Sequence, residues 1–234
     1  MVEPIFSVEK KCAVCGEKFT ATRVRSRLVM IKQDTDFCAH YQDINPYYYT
    51  VLVCPHCGYA AQDTGFEEIT PAGVERIQKF FAERKVKIDL SSTMTRTREQ
   101  AIVSYQLAIL CGELASLPAS RLAALLLRLG WLHREAELFE KEKATLAKAA
   151  NAFEMALSRE RTPIGPMSEL TVMYLVGELL RRTGQREKAL LYINKVVGSP
   201  QAKQERRISD LARDAWQEMR AEARNKQADH EESR

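Results

Sequence analysis

Two pairs of cysteines, each followed by a glycine, are the residues whose types and spacing most clearly predict chemistry in this chain. The pairs are Cys12 and Cys15, followed by Gly16, and Cys54 and Cys57, followed by Gly58. Two thiolates that lie two residues apart can grip one side of a tetrahedral ion only if the chain turns tightly, and glycine permits that turn. The two pairs together predict one structural metal site with four cysteine ligands and no open coordination position.

Disulfides or a redox couple are the alternative uses of paired cysteines. The start of the chain, MVEPIFSVEKKCAVCG, lacks the apolar stretch of a secretory signal. Cysteines in such a chain indicate a reducing compartment, the cytoplasm, where CxxC pairs bind metal more often than they form disulfides. The predicted cofactor is therefore structural Zn²⁺, and iron stays open as the alternative metal. His56, between two ligands, is predicted to point outward.

Asp34, Asp36, Cys38 and His40 form a second group of ligand-type residues, at every second position of the segment DTDFCAH. If this segment is extended, all four side chains share one face and could form a second metal site or a reactive centre. In the alternative interpretation, the aspartates make turn hydrogen bonds and Cys38 packs beside the metal. Because neighbouring acids raise the pKa of a thiol, the pattern argues against a thiolate nucleophile at Cys38.

Short strands are predicted to carry the cysteine pairs. The segment Phe19–Ile31 alternates and is rich in β-branched residues, which predicts a strand with Arg23, Arg25 and Arg27 on one face. The segment Tyr47–Val53 predicts a second strand that leads directly into the CPHCG motif. This part of the chain is therefore expected to be a zinc-ribbon-like module.

From Pro71 onward the pattern is helical. Thr70 can cap a helix and Pro71 suits its first position. Further helices are predicted over residues 96–116, 118–136, 140–160, 167–182, 186–197 and 203–222. Cys111 lies in an apolar helix and is predicted to be a core residue.

The predicted fold class is α+β, mainly α, in which a small four-cysteine zinc-ribbon-like module precedes a tetratricopeptide-like helical array. The predicted domains are the module at 1–68, the helical domain at 69–223 and a disordered polar tail at 224–234. The array is predicted because small residues recur as in tetratricopeptide units, which are helix pairs of about 34 residues. Met173–Pro200 matches one unit, and weaker copies surround Ala149 and Ala101. An ordinary helical bundle is the alternative, since it uses the same small residues for packing.

Charge and hydropathy argue against several broad classes. The formal net charge is only +4, and residues 1–70 carry more acids than bases, so bulk charge does not indicate a nucleic-acid binder. The most apolar stretch, Leu122–Leu132, is short and contains Arg128, so no membrane span is predicted. A phosphate loop, a dinucleotide fingerprint, an HExxH helix and a nucleophile elbow are all missing from the sequence, which predicts that the chain is not an enzyme.

The stretch DTDFCAHYQDINPYYYTVLVCPHCGYAA, from Asp34 to Ala61, resembles a bacterial family of uncharacterised proteins, the domain of unknown function DUF2225. The Cys12–Cys15 pair and the Leu129–Trp131 segment of the helical part are similar to it as well. The resemblance covers nearly the whole chain. It implies a bacterial cytoplasmic protein with a zinc-ribbon-like N-terminal part and tetratricopeptide-like C-terminal helices, and it implies no activity.

Three functions are compatible with these patterns. The first is a non-enzymatic interaction scaffold that binds a protein or peptide on the helical array, because such arrays form concave binding surfaces. The second is a nucleic-acid-binding ribbon, in which Arg23, Arg25 and Arg27 contact phosphates and nearby tyrosines stack on bases. The third is thiol or metal chemistry at the Asp34–His40 segment. The sequence favours them in that order and does not identify the partner.

Overall fold

The computed structural model describes residues 4–84 and 95–232, with the backbone alone for Arg84 and for residues 225–232. The architecture is α+β and mainly α, as the sequence predicts. The strands are β1 (Ile5–Lys11), β2 (Lys18–Val24), β3 (Met30–Gln33), β4 (Ala39–Tyr41), β5 (Val51–Val53) and β6 (Ala60–Gln62). The helices are α1 (Pro71–Arg84), α2 (Arg98–Leu114), α3 (Ala119–Glu135), α4 (Phe139–Arg159), α5 (Glu169–Arg182), α6 (Arg186–Val197) and α7 (Arg206–Glu232).

The strands pair consecutively into three two-stranded antiparallel sheets, β1 with β2, β3 with β4, and β5 with β6. The predicted strand Phe19–Ile31 is wrong in its middle, because β2 ends at Val24 and the chain bends before β3 begins at Met30. Arg25 and Arg27 therefore lie outside any strand and do not share a strand face with Arg23.

The predicted strand Tyr47–Val53 is also wrong in its first half, where residues Pro46–Tyr49 form a 3₁₀ turn and β5 begins only at Val51. The Asn45 side chain accepts a hydrogen bond from the Tyr47 backbone N–H at 2.9 Å, and Pro46 starts the turn. Capping by Asn45 and the fixed φ of Pro46 thus outweigh the β propensity of three tyrosines.

The helix predictions agree with the structure to within a few residues up to α6. Helix α1 begins at Pro71, and the Gly73 backbone N–H donates to the Thr70 hydroxyl at 3.2 Å. Helix α7 starts at Arg206 and continues to Glu232, beyond the predicted end at residue 222. Its last turns are rich in Ala, Glu, Lys and Gln, which favour helix. The predicted disorder of residues 224–234 stays a prediction.

Residues 1–142 form the first compact unit and residues 143–234 the second. In the first unit the strands β5 and β6 pack on α2, whose residues Tyr105, Ala108 and Cys111 are fully buried. Cys111 is thus the core residue that the sequence predicts, and the Ala60 backbone N–H points at its sulfur at 3.5 Å. The cysteine region and helix α2 therefore share one core. The predicted domain boundary at residue 68 stays a prediction.

In the second unit α5 and α6 pack closely against each other through small residues. A Cβ atom at Gly177 would lie 2.8 Å from Ile193 Cδ1 and 3.2 Å from Tyr192 Cβ, so any larger residue at this position would force these side chains to shift. Ala189, Ile193 and Val196 of α6 are fully buried. The small residues singled out in the sequence thus serve helix packing, which both a tetratricopeptide unit and an ordinary bundle require.

Replacing Gly177 by leucine is expected to destabilise the second unit by about 1–3 kcal/mol, because the new side chain overpacks the contact with Ile193. Ala221→Leu is the matched control, since Ala221 is exposed on helix α7 and its replacement is expected to change stability by less than about 0.5 kcal/mol. Urea unfolding followed by circular dichroism measures both variants. Equal midpoints for the two variants would contradict the close packing.

Candidate metal centre

Two β-hairpins position the four cysteines. Cys12 and Cys15 lie in the turn between β1 and β2, and Cys54 and Cys57 lie in the turn between β5 and β6. Each strand pair is antiparallel and in register up to its turn, so each hairpin ends in a loop that carries two thiols. The two loops face each other, and the structure brings all four predicted ligands together.

The two cysteine loops have the same backbone geometry. Gly16 and Gly58 adopt φ of 78° and 77°, in the left-handed region that glycine tolerates best. Their backbone N–H groups donate to the carbonyls of Cys12 and Cys54 at 3.0 Å and 2.9 Å. The Val14 backbone N–H also points at the Cys12 sulfur at 3.4 Å. The glycine after each CxxC pair therefore closes the turn that aims two sulfurs at one point.

The spacing of the sulfurs fits a tetrahedral ion. The distance from Cys12 Sγ to Cys57 Sγ is 3.6 Å, and from Cys15 Sγ to Cys54 Sγ it is 3.7 Å. Four sulfurs at about 2.3 Å from a common zinc ion would be about 3.8 Å apart. None of the six cysteines is joined in a disulfide, which would need a sulfur separation of about 2.05 Å. The arrangement is compatible with a metal ion held by four thiolates.

The four thiols lie so close together that thiolates at neighbouring positions would repel each other, and a bound cation would offset this repulsion. Hydrogen bonds with Cys12 and Cys57 lower the pKa of Cys54 to about 2. The contacts with Cys12 and Cys54 raise the pKa of Cys57 well above its usual value, because a second thiolate would be repelled. A divalent cation favours deprotonation of every thiol that coordinates it. The donor set therefore suits a cation better than it suits four neighbouring thiols.

His56 lies outside the sulfur cluster, as the sequence predicts. Its side chain is exposed, and its Nε2 atom lies 3.2 Å from the backbone carbonyl of Lys18. The candidate ligand set of four cysteines thus contains sulfur alone.

The segment Asp34–His40 is not an extended strand, so the condition under which its four polar side chains would share one strand face is not met. Strand β3 ends at Gln33, the chain turns, and β4 begins at Ala39. Phe37 has a φ of 68°, and its backbone N–H donates to the Asp34 carbonyl at 2.9 Å. The Cys38 backbone N–H also points at Asp36 Oδ1 at 3.4 Å, so both aspartates make turn hydrogen bonds, as in the alternative interpretation.

The turn nevertheless brings three of the four residues together. Single ligand atoms of Asp34, Cys38 and His40 all lie within 4.8 Å of one another. His40 Nε2 lies 2.8 Å from Asp34 Oδ2. Burial and the charge of Asp36 raise the pKa of the Cys38 thiol to about 12, which agrees with the expectation that Cys38 is not a thiolate nucleophile.

Asp36 is the fourth polar residue of the Asp34–His40 segment, and its side chain is fully buried against helix α3. Its carboxylate accepts hydrogen bonds from Arg134 Nη2 at 2.5 Å and from Trp131 Nε1 at 3.2 Å. Arg134 also donates to Asp34 at 3.0 Å and to Glu142 at 2.7 Å. Burial would lower the pKa of Arg134, but Asp36 and Glu142 raise it above its usual value. This ion network anchors the β3–β4 turn on α3.

Sequence reasoning missed Arg134 as a functional partner of the aspartates. A basic residue in the last turn of a helix is usually explained by the helix dipole. Arg134 directly follows a run of buried residues that ends at His133. A charged side chain next to an apolar helix face needs a counter-ion, so this position could have indicated an ion pair.

The arginines proposed for nucleic-acid contacts differ in the contacts that their side chains make within the protein. Arg23 forms an ion pair with Asp63, and Arg25 lies over the Phe6 ring at 5.0 Å from its centroid. Arg25 and Arg27 are exposed.

The nearby tyrosines are used for packing and hydrogen bonding. Tyr49 is buried, the Tyr47 hydroxyl accepts from the Ala39 backbone N–H at 3.2 Å, and the Tyr48 hydroxyl donates to Glu135 at 2.7 Å. Base stacking on these rings would require them to leave their contacts.

None of the helices within the described ranges combines the length and the hydropathy needed to cross a bilayer.

Comparison with known proteins gives a family match over residues 5–219, to uncharacterized proteins conserved in bacteria (DUF2225). One curated relative, an uncharacterized protein of Borreliella burgdorferi, is 28% identical over 193 residues, which cover 71% of this chain and 69% of that protein. No solved structure matches this chain. The matched region contains all four cysteines of the sulfur cluster and the whole Asp34–His40 turn. The chain therefore belongs to this family of bacterial proteins.

Proposed function

We propose that this chain is a non-enzymatic interaction scaffold whose first unit is built around one structural zinc ion. The observation that carries the proposal is the set of four sulfurs at tetrahedral spacing. Four thiolates around one zinc ion leave no position for a substrate or an activated water, which is typical of structural and not of catalytic zinc. A reducing compartment such as the cytoplasm would keep these thiols available for metal.

A surface of the β3 hairpin supports the interaction part of the proposal. Val29, Met30 and Ile31 are consecutive large apolar residues with exposed fractions of 60%, 54% and 65%. Isolated exposed apolar residues are common, but a contiguous group is typical of a protein-binding site. We call these three residues the hairpin patch.

A groove with a volume of 1030 Å³ begins at the hairpin patch. Val29 lines it together with apolar Phe6 and Leu28, and exposed Arg25 and Arg27 lie along it. Asp43 is the acidic residue in its lining, so basic groups outnumber acidic ones there. Apolar walls with a basic excess are complementary to a protein segment that carries apolar and acidic side chains, and we propose such a segment as the partner.

The helical array remains the second candidate surface for a protein partner. In the second unit, Met155 on α4 and Leu191 on α6 are large apolar residues with substantial exposure. They are single residues on separate helices, which is a weaker indication than the three consecutive residues of the hairpin patch.

Two surface variants distinguish the candidate surfaces. One carries Val29→Ser, Met30→Ser and Ile31→Ser, and the other carries Met155→Ser and Leu191→Ser. Each variant and the unchanged chain would be used to capture proteins from an extract of the native cell, with quantitative mass spectrometry as the readout. We expect a captured protein to be lost at least tenfold with the first variant and retained with the second.

Loss with the second variant alone would move the partner to the helical array, and retention by both variants would contradict binding at either surface. Circular dichroism must show that both variants are folded. An oligonucleotide affinity that falls steeply with salt would instead favour the nucleic-acid-binding alternative, because phosphate contacts release counterions.

A further inference from the structure

A second cluster of ligand-type atoms lies in the β3–β4 turn, apart from the four cysteines. Asp34, Cys38 and His40 offer a carboxylate oxygen, a sulfur and an imidazole nitrogen within 4.8 Å of one another. Oxygen and nitrogen ligands at about 2.0–2.1 Å from a tetrahedral zinc ion are about 3.3 Å apart. The observed Asp34 Oδ2–His40 Nε2 distance is 2.8 Å. Separating these two atoms by about 0.5 Å would give them the spacing of two ligands on one zinc ion.

The charges around this cluster favour an additional cation. Three carboxylates, those of Asp34, Asp36 and Glu142, share the partly buried guanidinium of Arg134. The ammonium of Lys32 lies 3.6 Å from Asp34, but its side chain is largely exposed and is screened by water. The carboxylates thus outnumber the cations that face them.

Arg134 does not prevent Asp34 from binding metal. An ionised carboxylate has about four lone-pair positions, so Asp34 can accept from Arg134 and still coordinate an ion. Carboxylates that ligate metals are commonly held in place by such hydrogen bonds.

A cavity beside the cluster provides room for a further ligand. It has a volume of 250 Å³ and is lined by Cys38 and His40 together with the rings of Tyr47 and Trp131. One water molecule occupies about 30 Å³ in the liquid. Water or a small donor molecule therefore fits next to Cys38 and His40, two of the three protein ligands.

We propose that Asp34, Cys38 and His40 form a second zinc site, with three protein ligands and one position open to this cavity. The site differs in kind from the four-cysteine site. Three protein ligands of mixed type leave a coordination position for an exchangeable ligand, whereas four thiolates close the shell.

The first test is the metal content of the full-length chain, purified without chelators and analysed by inductively coupled plasma mass spectrometry. We expect two zinc ions per chain, and one per chain after the combined change Cys38→Ser and His40→Ala. Cys111→Ala is the matched control, since Cys111 is another buried thiol outside the cluster, and this variant is expected to retain two. A content of one zinc ion in the unchanged chain would overturn the proposal.

The second test uses the unchanged chain loaded with ¹¹³Cd, so that it does not depend on how well a variant folds. Nuclear magnetic resonance is expected to give two signals, one strongly deshielded by four sulfurs and one at much higher field from mixed oxygen, nitrogen and sulfur ligands. A four-sulfur signal alone would refute the second site and leave the first intact. A mixed-ligand signal alone would support the second site and refute the four-cysteine assignment, so the two proposals fail independently.

Discussion

Removal of the metal is expected to unfold the hairpins that carry the four cysteines. Strands β5 and β6 have three residues each, so the backbone hydrogen bonds of this hairpin are few, and packing on α2 supplies the rest of its support. Structural zinc contributes roughly 10–16 kcal/mol of apparent binding free energy in small zinc modules, which is as large as the total stability of a typical domain, about 5–15 kcal/mol. Loss of the ion should therefore exceed what burial in this region can compensate.

Amide hydrogen exchange measures this effect strand by strand. After treatment with a strong chelator, the amides of β1, β2, β5 and β6 are expected to lose their protection, while α5 and α6 in the second unit keep theirs. Adding back zinc should restore the protection. Cys54→Ser is expected to reproduce the effect of the chelator, whereas Cys111→Ala, which removes a sulfur outside the cluster, should leave the hairpin amides protected apart from that of Ala60, whose N–H points at the Cys111 sulfur. Unchanged exchange after complete metal removal would show that the ion is not structural.

Replacing Arg134 by methionine is expected to destabilise the first unit by about 3–5 kcal/mol, because the fully buried Asp36 carboxylate would lose its guanidinium partner. Asp36→Asn is expected to cost less, since it leaves no buried anion. The double variant should be more stable than the sum of the single losses predicts, because the two residues interact directly.

Equilibrium unfolding in urea of the two single variants and the double variant gives the interaction energy. The matched control is Arg213→Ala, which breaks a pair with Asp210 in which both side chains are more than half exposed, and it is expected to cost less than about 1 kcal/mol. Additive losses for Arg134 and Asp36 would contradict the coupling between the β3–β4 turn and α3.

The four-cysteine cluster was predictable from the sequence because its geometry is local. The CxxCG pattern determines the turn at Cys12–Gly16 and the turn at Cys54–Gly58 independently. Only the approach of the two turns to each other depends on the rest of the chain. Two turns that each offer two thiols are most simply combined into one site with four cysteine ligands. The helices were predictable for a similar reason, since caps such as Thr70 and periodic apolar residues act over a few positions.

The Asp34–His40 turn and the tyrosine segment were not predictable in the same way. Period-two alternation indicates a strand, but the hydrogen bond between Phe37 and Asp34 closes a turn within the alternating segment. Arg134, which fixes the turn, lies about a hundred residues further along the chain. An ion pair at that separation leaves no periodic pattern in a single sequence, so neither the anchoring of Asp36 nor the convergence of the other three residues was visible.

The distance along the chain between the two cysteine loops has a consequence for biosynthesis. During translation the Cys12–Cys15 half leaves the ribosome first and offers an incoming ion only two sulfurs. The second half follows much later, and the buried surface of α2 beneath β5 and β6 emerges later still. We therefore expect stable ion capture to be postponed until α2 has been synthesised, and nascent chains stalled before residue 98 to lose zinc to a weak chelator that chains extending past residue 142 resist.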